Sequence, residues 1–317
     1  MKKNLFIIWL LSQILIACSG NEDSADNNYV NNNKIELSFQ IDNLVKGSVK
    51  SVSDDGSTAE RTIDNLYVFL FPTTSSQTIK KYYISSPSFT GGSWSSSDNK
   101  ILLNITQTEI GSRDVYIVAN CTSEMKTSLD GVTTVVNLQS ALQTSSTPWS
   151  ATLTTPILMS GSKTHDFNSN YQLNSISLVR AIAKVQINAT LSASHQAIPL
   201  SAENVAQYKY KFIDFDKNTY VLQQTSKIDN LVSSASWNNW EAAGTVSGYT
   251  INSEGKVISL SLTTYLNERN SSGTAIEFSL PYSGGFLPPP EFGDETYKLQ
   301  LPTKIERNHL YVYDVEI

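Results

Sequence analysis

Few side chains in this 317-residue sequence are suited to covalent or metal chemistry, and those few stand far apart. His165, His195 and His309 fall in no metal-ligand spacing. His309 opens an apolar strand, where a structural hydrogen bond is the expected role. Asp54 with Asp55, and Asp214 with Asp216, offer paired carboxylates. A glycosidase needs two such groups across a cleft, whereas these pairs read as solvated turn residues. No nucleophile motif and no glycine-rich phosphate loop is present. The expectation is therefore no catalytic residue, no metal and no cofactor. An enzyme would have to show turnover that is lost on changing Asp214 or Asp216.

Two cysteines carry a clearer message. Lys2 and Lys3 precede an apolar run, residues 5–16, that is too short to span a bilayer, and Leu15-Ile16-Ala17-Cys18 follows as a bacterial lipobox. Residues 1–17 thus read as a lipoprotein signal peptide, with diacylglycerol on the Cys18 thiol. Residues 18–33, rich in Asn and Asp without apolar period, read as a flexible tether. With Cys18 lipidated, Cys121 has no disulfide partner and is expected to be a small buried hydrophobe. Trp237 and Trp240, in SASWNNWEAAG, are candidate ligand contacts, since indole faces suit sugars. The plainer alternative is that they cap a sheet edge. The formal charge of −6, with no basic stripe, argues against nucleic acid.

The elements that must position these residues are strands. Residues 34–41, KIELSFQI, alternate Ile35, Leu37, Phe39 and Ile41 with polar neighbours, the pattern of a half-buried strand. Residues 42–62 read as a polar loop. Residues 63–71, IDNLYVFLF, form a nearly continuous apolar strand suited to a sheet interior. Residues 172–187 read as one strand burying Val179, Ala181, Ala183, Val185 and Ile187, with Arg180 and Lys184 on the opposite face. The one helical stretch lies within 126–143. Many short strands with regular turns predict an all-β protein of two β-sandwich domains in series, 34–171 and 172–317.

Several segments together resemble the fimbrillins, the subunits of type V pili in Bacteroidia. They are IDNLYVFLF at 63–71, VYIVAN at 115–120, MSG at 159–161, LVRAIAKV at 178–185, YLNERN at 265–270 and IERNHLY at 305–311. The resemblance implies two transthyretin-like β-sandwich domains and export as an outer membrane lipoprotein, displayed at the cell surface. It also implies assembly with other subunits by strand exchange. In shaft subunits of the family a protease cuts after the first strand at a basic residue, and a neighbour's strand fills the vacated groove. Here Lys46 and Lys50 stand where the cut would fall, and Ile35, Leu37, Phe39 and Ile41 mark the exchanged strand. The sequence departs from the shaft pattern by offering Lys rather than Arg, and by stopping at Ile317 without a further strand to donate. That favours a tip or accessory subunit, meeting a host or bacterial glycan or protein receptor. The alternative is a lipid-held anchor or glycan-binding protein that keeps its first strand.

Overall fold

A computed structural model describes residues 34–46, 56–74, 76–149, 153, 156–199, 208–226, 228–241, 247–270, 272–282 and 293–317. Cys18, the segments expected as signal peptide (1–17) and tether (18–33), Lys50, Asp54 and Asp55 lie outside the described residues. The first half runs β1 (Lys34–Ile41), β2 (Val45–Lys46), α1 (Thr58–Arg61), β3 (Leu66–Pro72), β4 (Lys80–Ile84), β5 (Ser88–Phe89), β6 (Gly92–Ser95) and β7 (Lys100–Thr106). It continues through α2 (Gln107–Ile110), β8 (Ser112–Ala119), α3 (Ser123–Asp130), α4 (Val135–Ser140), β9 (Leu142–Thr144), β10 (Met159–Asp166) and β11 (Gln172–Arg180). The second half runs β12 (Ile182–Thr190), β13 (Lys209–Ile213), β14 (Phe215–Asp216), β15 (Asn218–Tyr220), β16 (Leu231–Val232) and β17 (Asn238–Asn239). It ends with β18 (Ser247–Ile251), β19 (Val257–Asn267), β20 (Ala275–Tyr282), β21 (Gly293–Gln300) and β22 (His309–Glu316).

Nine strands of the first half hydrogen-bond in the order β4-β3-β8-β10-β11-β1-β7-β6-β5. β10 meets β11 only at Met159–Arg180 and Ser160–Val179, while the rest of β11 runs parallel to β1. The two flanks therefore peel apart and close on a shared core of Ile35, Leu37 and Phe39 against Leu66, Val68, Val115 and Ile117. Gly161 makes that divergence possible: a Cβ there would sit 2.0 Å from the Ser177 carbonyl oxygen. β3 is apolar throughout because both of its faces are covered. Its outer face, Tyr67, Phe69 and Phe71, packs under Met125 and Leu129 of α3 and Leu138 of α4.

In the second half, the sheet β18-β19-β12-β22-β2 packs against the sheet β17-β13-β20-β21. Ala183, Val185 and Ile187 of β12 face Tyr210, Phe212, Ile276 and Phe278.

Three sequence expectations change. The strand expected over 172–187 is two strands, because the chain switches sheets at Ala181, whose N–H donates to the Leu158 carbonyl. The alternation changes phase there: Ile176, Leu178 and Arg180 are buried before the switch, Ala183, Val185 and Ile187 after it. The division between the halves accordingly falls at Ala181, not between 171 and 172. Arg180 and Lys184 are buried too, since their face meets the junction between halves rather than water. Finally, α3 and α4 occupy 123–130 and 135–140, each begun by a threonine: Thr122 accepts from the Met125 N–H and Thr134 from the Asn137 N–H.

Candidate functional site: the first-strand groove and the junction behind it

β1 is an interior strand. It pairs in parallel with β11 from Glu36–Gln172 to Ile41–Leu178, and antiparallel with β7 from Lys34–Thr106 to Ser38–Lys100. Ile35 and Leu37 have no exposed surface and Phe39 almost none, whereas Ile41 is half-buried. Three fully buried side chains at roughly 1.5–3 kcal/mol each make the strand's apolar burial worth about 5–9 kcal/mol. Taking β1 away would leave an apolar slot flanked by two unpaired strand edges, the arrangement that accepts an added strand.

Past Ile41 the same segment is gripped differently. The Asp42 N–H donates to the Leu178 carbonyl at 3.0 Å. Arg180 Nη1 donates to the Asp42 carbonyl at 2.8 Å and to Asn308 Oδ1 at 2.9 Å. Asn308 Nδ2 donates to the Asn43 carbonyl at 2.8 Å, and the Asn308 carbonyl accepts the Val45 N–H at 2.8 Å. Val45 and Lys46 then add β2 to the edge of β22, opposite His309 and Leu310. Residues 34–46 therefore staple the first-half sheet to the second.

The far side of the loop is held by the same residues. The polar loop expected over 42–62 contains α1, where Ser57 and Glu60 form a reciprocal capping box. Arg180 Nε donates to the Glu60 carbonyl at 3.1 Å. The Glu60 carboxylate, buried, meets Lys184 Nζ at 3.0 Å and accepts from the Tyr265 hydroxyl at 2.8 Å. Burial alone would raise the Glu60 carboxyl. Hydrogen bonds from the Ser57 N–H, Tyr265 and Lys184, with the Lys184 charge, hold it below the usual carboxylate range instead. Nearby, Arg307 forms a two-pronged pair with Glu268 at 2.6 and 3.0 Å and donates to the Val221 and Tyr220 carbonyls. The motifs at 178–185, 265–270 and 305–311, scattered in sequence, thus meet in one buried polar junction.

Other candidates take structural places. Trp240 is a core residue, 5% exposed, packed on Tyr210 and Phe278 with Nε1 donating to the Ser261 carbonyl. Its indole, expected as a ligand contact, is turned into the core against β13 and β20 rather than toward the surface. Trp237 is half-buried beneath Lys211, whose Nζ lies 4.6 Å from the ring centre. Asp216 is buried rather than solvated: Oδ1 accepts from the Asn218 N–H and Oδ2 from the Asn230 N–H, closing a turn. His195 is buried between the Pro281 carbonyl and the Tyr297 hydroxyl. His309 Nδ1 bonds the Arg307 carbonyl, the structural role anticipated for it. Burial pushes the Cys121 thiol up to about 12, which leaves it inert. Among the described residues, no group of three His, Cys, Asp or Glu stands together to hold a metal.

The site is thus an interior first strand followed by a segment pinned to both halves. Residues 35–180 match the family described as major fimbrial subunit protein FimA, and 181–316 match the C-terminal family of the minor fimbrium tip subunit MfA4. The chain belongs to the fimbrillin family: it is a structural and adhesive fimbrial subunit of the cell surface and not an enzyme. It is 44% identical to the minor fimbrium tip subunit MfA4 of Porphyromonas gingivalis over 339 aligned positions, covering 100% of both chains. Its fold is shared with candidate cell adhesion proteins from two other bacteria. The one from Parabacteroides distasonis has a TM-score of 0.58 at 14% identity, covering 89% of each chain. The one from Bacteroides eggerthii has a TM-score of 0.56 at 15% identity, covering 90% of this chain and 86% of the other.

Proposed function

We propose that this subunit is exported as a lipoprotein on Cys18, loses its first strand by a cut at Lys46 or Lys50, and then receives a strand from a neighbouring fimbrial subunit in the vacated groove. Its place is the tip or an accessory position near it, in keeping with the tip subunit to which it is similar along its whole length. Each half is read as a transthyretin-like sandwich. Its partners are other fimbrial subunits and, at the exposed end, a glycan or protein receptor.

The observation that carries this reading is the position of β1, an interior strand with three buried apolar side chains. It is the first strand among the described residues, ahead of every other element of both halves. Removing it would leave two unpaired strand edges, β11 and β7, to which an equivalent strand from another chain can add. The glycan-binding alternative loses its aromatic pair, since Trp240 is in the core.

The test is the N-terminal sequence and mass of the subunit in fimbriae sheared from cells. A start at residue 47 or 51 without lipid is the expected result. Finding only chains that begin at lipidated Cys18 would overturn strand exchange at this groove.

A further inference from the structure

The apolar slot explains how side chains of an occupying strand are recognised, but not the hold on residues 42 and 43. Asp42 is half-buried and Asn43 exposed, and the contacts that fix them to the junction run through their backbone. One N–H is taken by Leu178, one carbonyl by Arg180 and the next by Asn308, at 3.0, 2.8 and 2.8 Å. Every residue type except proline offers those same groups.

The receptor is pre-set from both halves. Arg180 ends β11 and is 1% exposed, and its guanidinium is held by the Glu60 carbonyl and Asn308 Oδ1. Asn308 is 4% exposed, at φ +57°, and its own N–H donates to the Ile182 carbonyl at 2.8 Å. The left-handed backbone turns its amide toward residue 43, and asparagine is among the few non-glycine residues that adopt it readily.

We propose that Arg180 and Asn308 form a backbone receptor for the strand that fills the groove, an extended segment from a second subunit. This rests on the strand-exchange reading above. The groove asks that strand for apolar side chains at alternating positions. The receptor then asks the next two residues for main-chain carbonyls and one N–H, whatever their side chains. Recognition is thus divided into a sequence-reading part and a part that any partner can satisfy, so different neighbours fit one socket.

The experiment uses the full chain with a site for a sequence-specific protease placed within 47–55. After cutting, fluorescent C-terminally amidated peptides compete with the resident strand, the uncut chain serving as blank. One peptide is KIELSFQIDN, residues 34–43; the other, KIELSFQI, stops at residue 41. On the wild-type chain the longer peptide should bind about tenfold to a hundredfold tighter, the scale of hydrogen bonds that involve a charged donor. Asn308→Gly removes the amide without strain at a positive φ, and should shrink that advantage about fivefold while leaving the shorter peptide unaffected. Asn308→Asp keeps an oxygen for Arg180 but cannot donate to residue 43. It should show the same loss, and stands in if the glycine variant fails to fold. Replacing residues 42 and 43 of the peptide with alanine should change binding less than threefold. An advantage undiminished in both variants, or lost on the alanine replacement, overturns the receptor while exchange stands. If neither peptide enters the cut chain, strand exchange falls and the receptor with it.

Discussion

The groove and the junction grip one segment by opposite means. Residues 34–41 are held by apolar burial and by two backbone ladders, while 42–46 are held by Arg180 and Asn308 and by a short edge pairing with β22. The groove contributes most of the binding area and the choice of side chains. The junction contributes position, because its donors are fixed by a charged network that tolerates little displacement. In the proposed exchange, a strand leaving the groove has to undo both.

The largest effect should come from the junction. Glu60→Ala removes the carboxylate shared by Lys184 and Tyr265 in a buried site, and should cost about 3–5 kcal/mol of stability in urea unfolding. Acid should act on the same group. The folded-state value lies below the usual carboxylate range, so Glu60 stabilises fully above the unfolded value of about 4.3. That stability is lost as pH falls through the folded value. Unfolding midpoints measured from about pH 4 downward should decline more steeply for the wild type than for Glu60→Gln. Parallel slopes would mean that the junction is not held by this charge.

The groove should respond next. Leu37→Ala empties a fully buried position between β11 and β7 and should cost about 2–5 kcal/mol, with no added dependence on pH. A smaller cost, about 1–3 kcal/mol, is expected for Gly161→Ala, which drives a methyl group against the Ser177 carbonyl where β10 and β11 diverge. A cost of Leu37→Ala that itself varied with pH across the acid range would erase the distinction between the two regions.

The contrast also explains what could be read in advance. β1 was legible because alternation over eight residues has one simple solution, a half-buried strand. The second half of the strand pair, Ala183 to Ile187, was legible for the same reason. Their division at Ala181 was not, because a strand that switches sheets keeps its extended backbone and changes only the phase of burial. Arg180 and Lys184 are charged, and a charged residue opposite an apolar face is ordinarily solvated. Only their distant partners, Glu60 and Asn308, reveal them as buried. One local signal did exist: Ser57-Thr58-Ala59-Glu60 has the capping-box spacing, which marks α1 within a stretch otherwise read as loop. The two tryptophans show the opposite limit. Trp240 and Trp237 stand three residues apart, yet one fills the core and the other rests half-covered by Lys211, since burial there depends on β13 and β20.

The smallest effect tests the comparison from the groove's own side. Glu36 sits on the outward face of β1 and pairs with Lys100 of β7 at 3.1 Å, with side chains 23% and 51% exposed. Water competes for both charges, and two flexible side chains lose entropy in holding the contact, so the pair should contribute less than about 1 kcal/mol. Glu36→Gln should therefore leave the urea midpoint nearly unchanged and should not alter peptide exchange in the cut chain. At the junction a carboxylate–ammonium pair at nearly the same distance is shielded from water, and its loss is large. If Glu36→Gln proved as costly as Glu60→Ala, burial would not be what separates the two regions, and the groove too would have to be counted as electrostatically held.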